Sequence, residues 1–69
     1  MVNTKKLRGL MAEHGCSGKD MAAVIKKTPK TFYKKMKLGV FDSDEILAMV
    51  EYLDIKNPLE IFFAEEVTQ

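Results

Sequence analysis

Two prolines stand in this chain, and each opens a helix rather than interrupting one. Thr28-Pro29 puts a hydroxyl at an N-cap and proline at the first helical position. There its missing N–H costs nothing, because the first N–H groups of a helix have no intrahelical partner. Asn57-Pro58 opens a last short helix through Leu59, Ile61, Phe62 and Phe63. Upstream, Leu7, Leu10, Met11 and His14 recur at i, i+3, i+4 and i+7, one stripe of a helix. Asn3 or Thr4 can cap its start, and Gly15 sits where a left-handed residue ends it. Ser17-Gly18-Lys19-Asp20 has the form of a capping box, with Asp20 a shorter stand-in for glutamate, before Met21, Ala22, Val24 and Ile25. Phe32 and Met36, four apart, face inward together on the third helix, and Gly39 ends it. The acid-rich Asp42-Ser43-Asp44-Glu45 starts a fourth through Ile46, Leu47, Met49, Val50 and Leu53. No repeat, low-complexity tract or strand alternation appears, so the expectation is an all-α single domain over residues 1–69, built of five short helices.

At 69 residues such a domain leaves little room for a large enclosed active-site cavity. A chain 46% hydrophobic and 30% charged reads as globular rather than disordered. Cys16 is the lone cysteine, so no intramolecular disulfide can staple the fold, and a reducing cytosol suits it. No apolar run approaches the roughly 20 residues of a membrane helix. Met1 to Arg8 lacks the apolar stretch of a signal peptide. The expected location is cytoplasmic, at the nucleoid, without a membrane partner.

The formal net charge of +1 hides a sharp division. Residues 1–37 hold ten bases against two acids, a net +8, whereas residues 38–69 hold one base against eight acids, a net −7. Such a split fits a polyanion partner for the first half, or two solvated surfaces that attract across the fold. Helical spacing favours the polyanion. The helices Ser17–Ile25 and Pro29–Lys37 are separated by a three-residue turn, Lys26-Lys27-Thr28, the spacing of a helix-turn-helix whose second helix enters a major groove. Ala22 supplies the small residue needed where the helices cross, and Ile25, Phe32 and Met36 supply the apolar inner face. Lys30, Tyr33, Lys34 and Lys37 fall on the outer face.

These residues carry a resemblance. The run LRGLMAEHGCSGKDMAAVI followed by TPKTFYKKM resembles the first three helices of the small phage repressor family, the Cro/cI-like helix-turn-helix proteins. VFDSDEILAMVEYLDIKNPLEIFF is similar to the following helices in repressors from phages of Gram-positive bacteria. The resemblance covers most of the chain and implies a lambda-repressor-like fold. It also implies binding to a double-stranded DNA operator, generally as a homodimer, to regulate transcription. One departure stands at Lys26, where the family commonly has glycine opening the turn. Either lysine takes a left-handed backbone, at about 1 kcal/mol relative to glycine, or the turn differs.

Carried onto this chain, the resemblance puts Lys30, Tyr33 and Lys34 at base-facing positions, with Thr28 and Pro29 at the leading edge. Lysine can donate to guanine O6 and N7, and tyrosine can meet a phosphate or a thymine methyl. Ser17 and Lys19, beside Gly18, open the preceding helix, where free N–H groups suit a phosphate as well as a cap. Lys27, Lys35 and Lys37 are candidate backbone contacts, and Lys5, Lys6 and Arg8 can serve similarly from the first helix. Because Ile61, Phe62 and Phe63 are consecutive, either a ring of Phe62 or Phe63 reaches a dimer interface, or an irregular last helix buries both. His14 and Cys16 lack further ligands for a zinc site, so no metal and no cofactor is expected. With no nucleophile–base pair or phosphate loop, an enzyme is not expected either. The competing reading is an antirepressor-like modulator that keeps the helical fold and binds another phage repressor protein.

Overall fold

Helix starts follow the capping residues closely. The computed structural model of the protein describes residues 2–62, which form five α-helices and, among the described residues, no strand. Helix α1 spans Thr4–Glu13, with Asn3 Oδ1 accepting from the Lys6 N–H at 3.2 Å. Helix α2 spans Gly18–Val24 behind a complete capping box. Ser17 Oγ accepts from the Asp20 N–H at 3.2 Å, and Asp20 Oδ2 accepts from the Ser17 N–H at 2.9 Å. That backbone N–H holds the Asp20 carboxyl below the usual aspartate range. Helix α3, Pro29–Leu38, is capped by Thr28 Oγ1 accepting from the Thr31 N–H at 3.2 Å. Helix α4 is Ser43–Tyr52 and α5 is Pro58–Phe62.

The first four helices also end alike. Each is followed by one residue of positive φ: Gly15 (62°), Lys26 (60°), Gly39 (71°) and Asp54 (51°). The N–H one place further on then reaches back to a carbonyl five residues earlier. The four bonds are Cys16 to Met11 at 2.8 Å, Lys27 to Ala22 at 2.9 Å, Val40 to Lys35 at 3.2 Å and Ile55 to Val50 at 3.0 Å. These are Schellman closures, which satisfy carbonyls left over at helix ends. Glycine enters the left-handed region freely, while Lys26 and Asp54 do so at about 1–2 kcal/mol each. Of the two possibilities at Lys26, the chain takes the left-handed lysine.

Leu7, Met21, Phe32 and Met49 lie at the centre of the core, joined by Met11, Ala22, Ile25, Met36, Leu53 and Ile61. Phe41, in the α3–α4 link, packs its ring on Phe32 with centroids 5.9 Å apart. The chain start is sewn in by two backbone bonds, from Val2 N–H to the Gly39 carbonyl and from Asn3 N–H to the Ile61 carbonyl. A Lys6–Glu60 ion pair adds a side-chain tie between α1 and α5 and lowers the Glu60 pKa. No helix among the described residues is long and apolar enough to cross a membrane.

One expectation needs correction. Phe62, read as a dimer contact, is 2% exposed within a single chain. Ile61 and Phe62 are both buried although adjacent, because α5 is only five residues long and its last turn is enclosed by the fold. Phe63 lies outside the described residues. Leu47 of α4 is 60% exposed. The inward positions of α4 are Glu45 and Met49, four apart, followed by Leu53 at the helix end.

Candidate nucleic-acid interface

The ten residues of α3 divide by face. Phe32 and Met36 are buried, whereas Lys30, Tyr33, Lys34 and Lys37, at i, i+3, i+4 and i+7, are all exposed. Among the described residues, no carboxylate forms an ion pair with Lys30, Lys34 or Lys37. Helix α2 packs against α3, and Ala22 of α2 is nearly inaccessible. Between them run Ile25, which is buried, and Lys26, Lys27 and Thr28, which are exposed. The left-handed backbone at Lys26 turns the chain so that α3 begins directly after this short link.

Lys35 does not belong to that face. Its ammonium lies 3.1 Å from Glu45 Oε1 and 3.7 Å from Asp42 Oδ2, on the side of α3 that meets the start of α4. The Glu45 hydrogen bond is the main reason the Lys35 pKa is raised. Glu45 is 2% exposed, and the same Oε1 also accepts from the Asp42 N–H at 2.8 Å. Its Oε2 has no hydrogen-bond partner among the described residues. This pair is what the sequence reading missed. Glu45 was accounted for by its place in the first turn of a helix, and its partner is ten positions away.

The polar residues at the helix starts are partly occupied. Ser17 Oγ and Thr28 Oγ1 are both held as caps, and Thr28 also bonds the Thr31 hydroxyl at 3.0 Å. Lys19, in the first turn of α2, is exposed. Tyr33 bridges the two helices. It is 55% exposed, yet the tip of its ring rests on Gly18, so that a Cβ built there would fall within 3.0 Å of the hydroxyl, Cζ and Cε1. Of the nine residues expected at a DNA surface, Lys19, Lys27, Lys30, Tyr33, Lys34 and Lys37 offer exposed side chains with no cap bond or ion pair among the described residues. Ser17 and Thr28 have their oxygens engaged locally, and Pro29 serves as the first residue of α3.

No known family model, curated protein or solved structure matches this chain.

Other surfaces offer less. A groove of about 340 Å³ runs between α1 and the α4–α5 link, with Leu10, Leu53 and Ile61 along it and Glu13, Asp54 and Glu60 beside them. No residue of α2 or α3 lines it. Among the described residues, no three His, Cys, Asp or Glu side chains gather as metal ligands. Cys16 is buried, and that burial pushes its thiol pKa up, with Asp20 adding to the shift. A thiol so protected is a poor nucleophile.

Proposed function

We propose that this protein is a sequence-specific DNA-binding transcriptional regulator with a lambda-repressor-like helix-turn-helix, similar to the small Cro/cI-type phage repressors. Helix α3 enters the major groove, and two copies bind a palindromic operator. One observation carries the reading: α3 turns Phe32 and Met36 into the core and leaves Lys30, Lys34 and Lys37 outward, without acidic partners among the described residues. A helix that is apolar within and basic without has what groove insertion needs, since base edges are read by donors and the backbone by cations. Lys30 and Lys34 are assigned to bases, and Lys19, Lys27 and Lys37 to phosphates. The nearby turn adds Lys26 to the positive potential. Regulation of a phage or prophage promoter in the cytoplasm is the context this reading implies, and no catalytic role is proposed.

The test is selection of bound duplexes from a random pool at two salt concentrations. The reading predicts an enriched pseudo-palindrome whose half-sites lie about 34 Å apart. It also predicts affinity that falls steeply with salt as counterions are released. Enrichment of no sequence at either salt concentration contradicts it.

A second reading is favoured by α4, whose Asp44, Leu47 and Glu51 are exposed at i, i+3 and i+7. An acidic face with an apolar centre suits a basic protein partner, as in an antirepressor-like modulator. Capture of a repressor protein, with no shift of any duplex, would favour it.

A further inference from the structure

Gly18 is an unusual choice for its position. It is the first residue of α2 and its φ is not in the left-handed region, so backbone geometry does not demand glycine there. Alanine at a helical position is ordinarily the more stable residue. What occupies the space of a side chain is Tyr33, reaching back from α3: its hydroxyl, Cζ and Cε1 all lie where a Cβ would go. The same ring stands edge-on to the buried Phe32, with centroids 5.6 Å apart and planes at 69°. Tyr33 is therefore held from two sides, by a core aromatic and by the bare backbone of the neighbouring helix.

We propose that Tyr33 is a positioning residue, locked over Gly18, that sets the outer face of α3 against the first turn of α2. Gly18 then determines DNA selectivity without offering a side chain to the DNA. The inference rests on the DNA-binding reading and changes one role within it, since Tyr33 acts through the placement of Lys30 and Lys34 rather than through its hydroxyl. The physical reason is leverage. Lys30 and Lys34 flank Tyr33 on one face of α3, and Lys19 is the residue next to Gly18. A methyl at position 18 has to move the ring, and the ring is what ties these two lysine-bearing segments together.

The experiment is a double-mutant cycle, G18A, Y33A and G18A/Y33A, read by thermal melting and by affinity for a selected duplex, with Y33F alongside. In melting, alanine at position 18 should lower Tm, or raise it less, when Tyr33 is present than when residue 33 is alanine. Non-additivity of several degrees is expected for groups in contact. On DNA, G18A and Y33A should each bind about fivefold or more weakly, the double variant should lose no more than either, and Y33F should bind like the parent. Additive melting, parent-like binding by G18A, or a loss with Y33F equal to that with Y33A each overturns the lock. If the parent binds no duplex at all, the DNA reading falls, and non-additive melting still upholds the contact between α2 and α3.

Discussion

Helices α3 and α4 are both ten residues long, and each buries residues four apart near its start, Phe32 and Met36 on one, Glu45 and Met49 on the other. They differ in what the inner face accepts. Helix α3 keeps its interior apolar and sends four lysine or tyrosine side chains outward. Helix α4 draws a carboxylate inside and exposes Leu47 instead. Glu45 links the two by taking Lys35 from the basic helix. The opposite charges of the two halves therefore do not simply cancel across the fold. One lysine of α3 is consumed in holding α4, and the other three stay available at the surface.

The largest effect expected from breaking this contrast is at Phe32. F32A should cost about 3–5 kcal/mol through the cavity it leaves, enough to unfold a marginal domain of this size. L47A, on the exposed face of α4, should stay within about 0.5 kcal/mol. Chemical denaturation followed by circular dichroism separates them, and equal losses would mean that the inner faces are misassigned.

At the link between the helices, E45A should destabilise by about 1–3 kcal/mol, since it strips a buried hydrogen-bonded acceptor from the Asp42 N–H and Lys35. The paired change K35M/E45L should be neutral or stabilising, as replacement of a buried ion pair by apolar groups often is. If the paired variant proves as unstable as E45A, the interaction specifies more than packing can replace.

A smaller gain is expected at Lys26. K26G relieves a left-handed lysine and should raise stability by about 1 kcal/mol, seen as a Tm rise of several degrees. No change in Tm would mean that the turn in solution is not the left-handed one.

The smallest effects are with pH, and their signs differ by region. The Lys35 pKa is raised when folded, so its contribution is complete below the ordinary lysine value of 10.5 and is lost as pH climbs through the higher folded value. The Asp20 and Glu60 pKa values are lowered when folded, so their contributions are present above the ordinary values of 3.8 and 4.5 and are lost as pH falls through the folded ones. Melting across pH should show both edges. K35M should flatten the alkaline edge, while D20N should soften the acid edge and leave the alkaline one in place.

Much of the scaffold was readable because its signals are local. Asn3, Ser17 and Thr28 cap helices with their own side chains, and Gly15 and Gly39 end helices where glycine alone is unstrained. The other two ends, at Lys26 and Asp54, were harder because residues with side chains occupy the left-handed position. Burial on α4 was not legible for a different reason. An inward glutamate and an outward leucine reverse the usual hydrophobic pattern, and Glu45 is accepted inside by Lys35, brought in from α3, together with the Asp42 N–H. Phe62 was misplaced because two adjacent residues cannot share one face of a long helix, whereas a five-residue helix can be enclosed on both sides. The outer residues of α3 were legible from spacing alone, but the seat of Tyr33 on Gly18 was not, since it joins positions fifteen apart.

The most direct test of the account compares equal charge removals on opposite halves of the molecule, by titrating a selected duplex with the parent, K30A, K34A and K56A. Lys56 is the one base of the acidic half and is paired with Asp54. The account predicts that K30A and K34A each weaken specific binding by about 1–3 kcal/mol, the range of a lost base contact, while K56A binds like the parent. Parent-like binding by both α3 variants, or an equal loss in K56A, would contradict it.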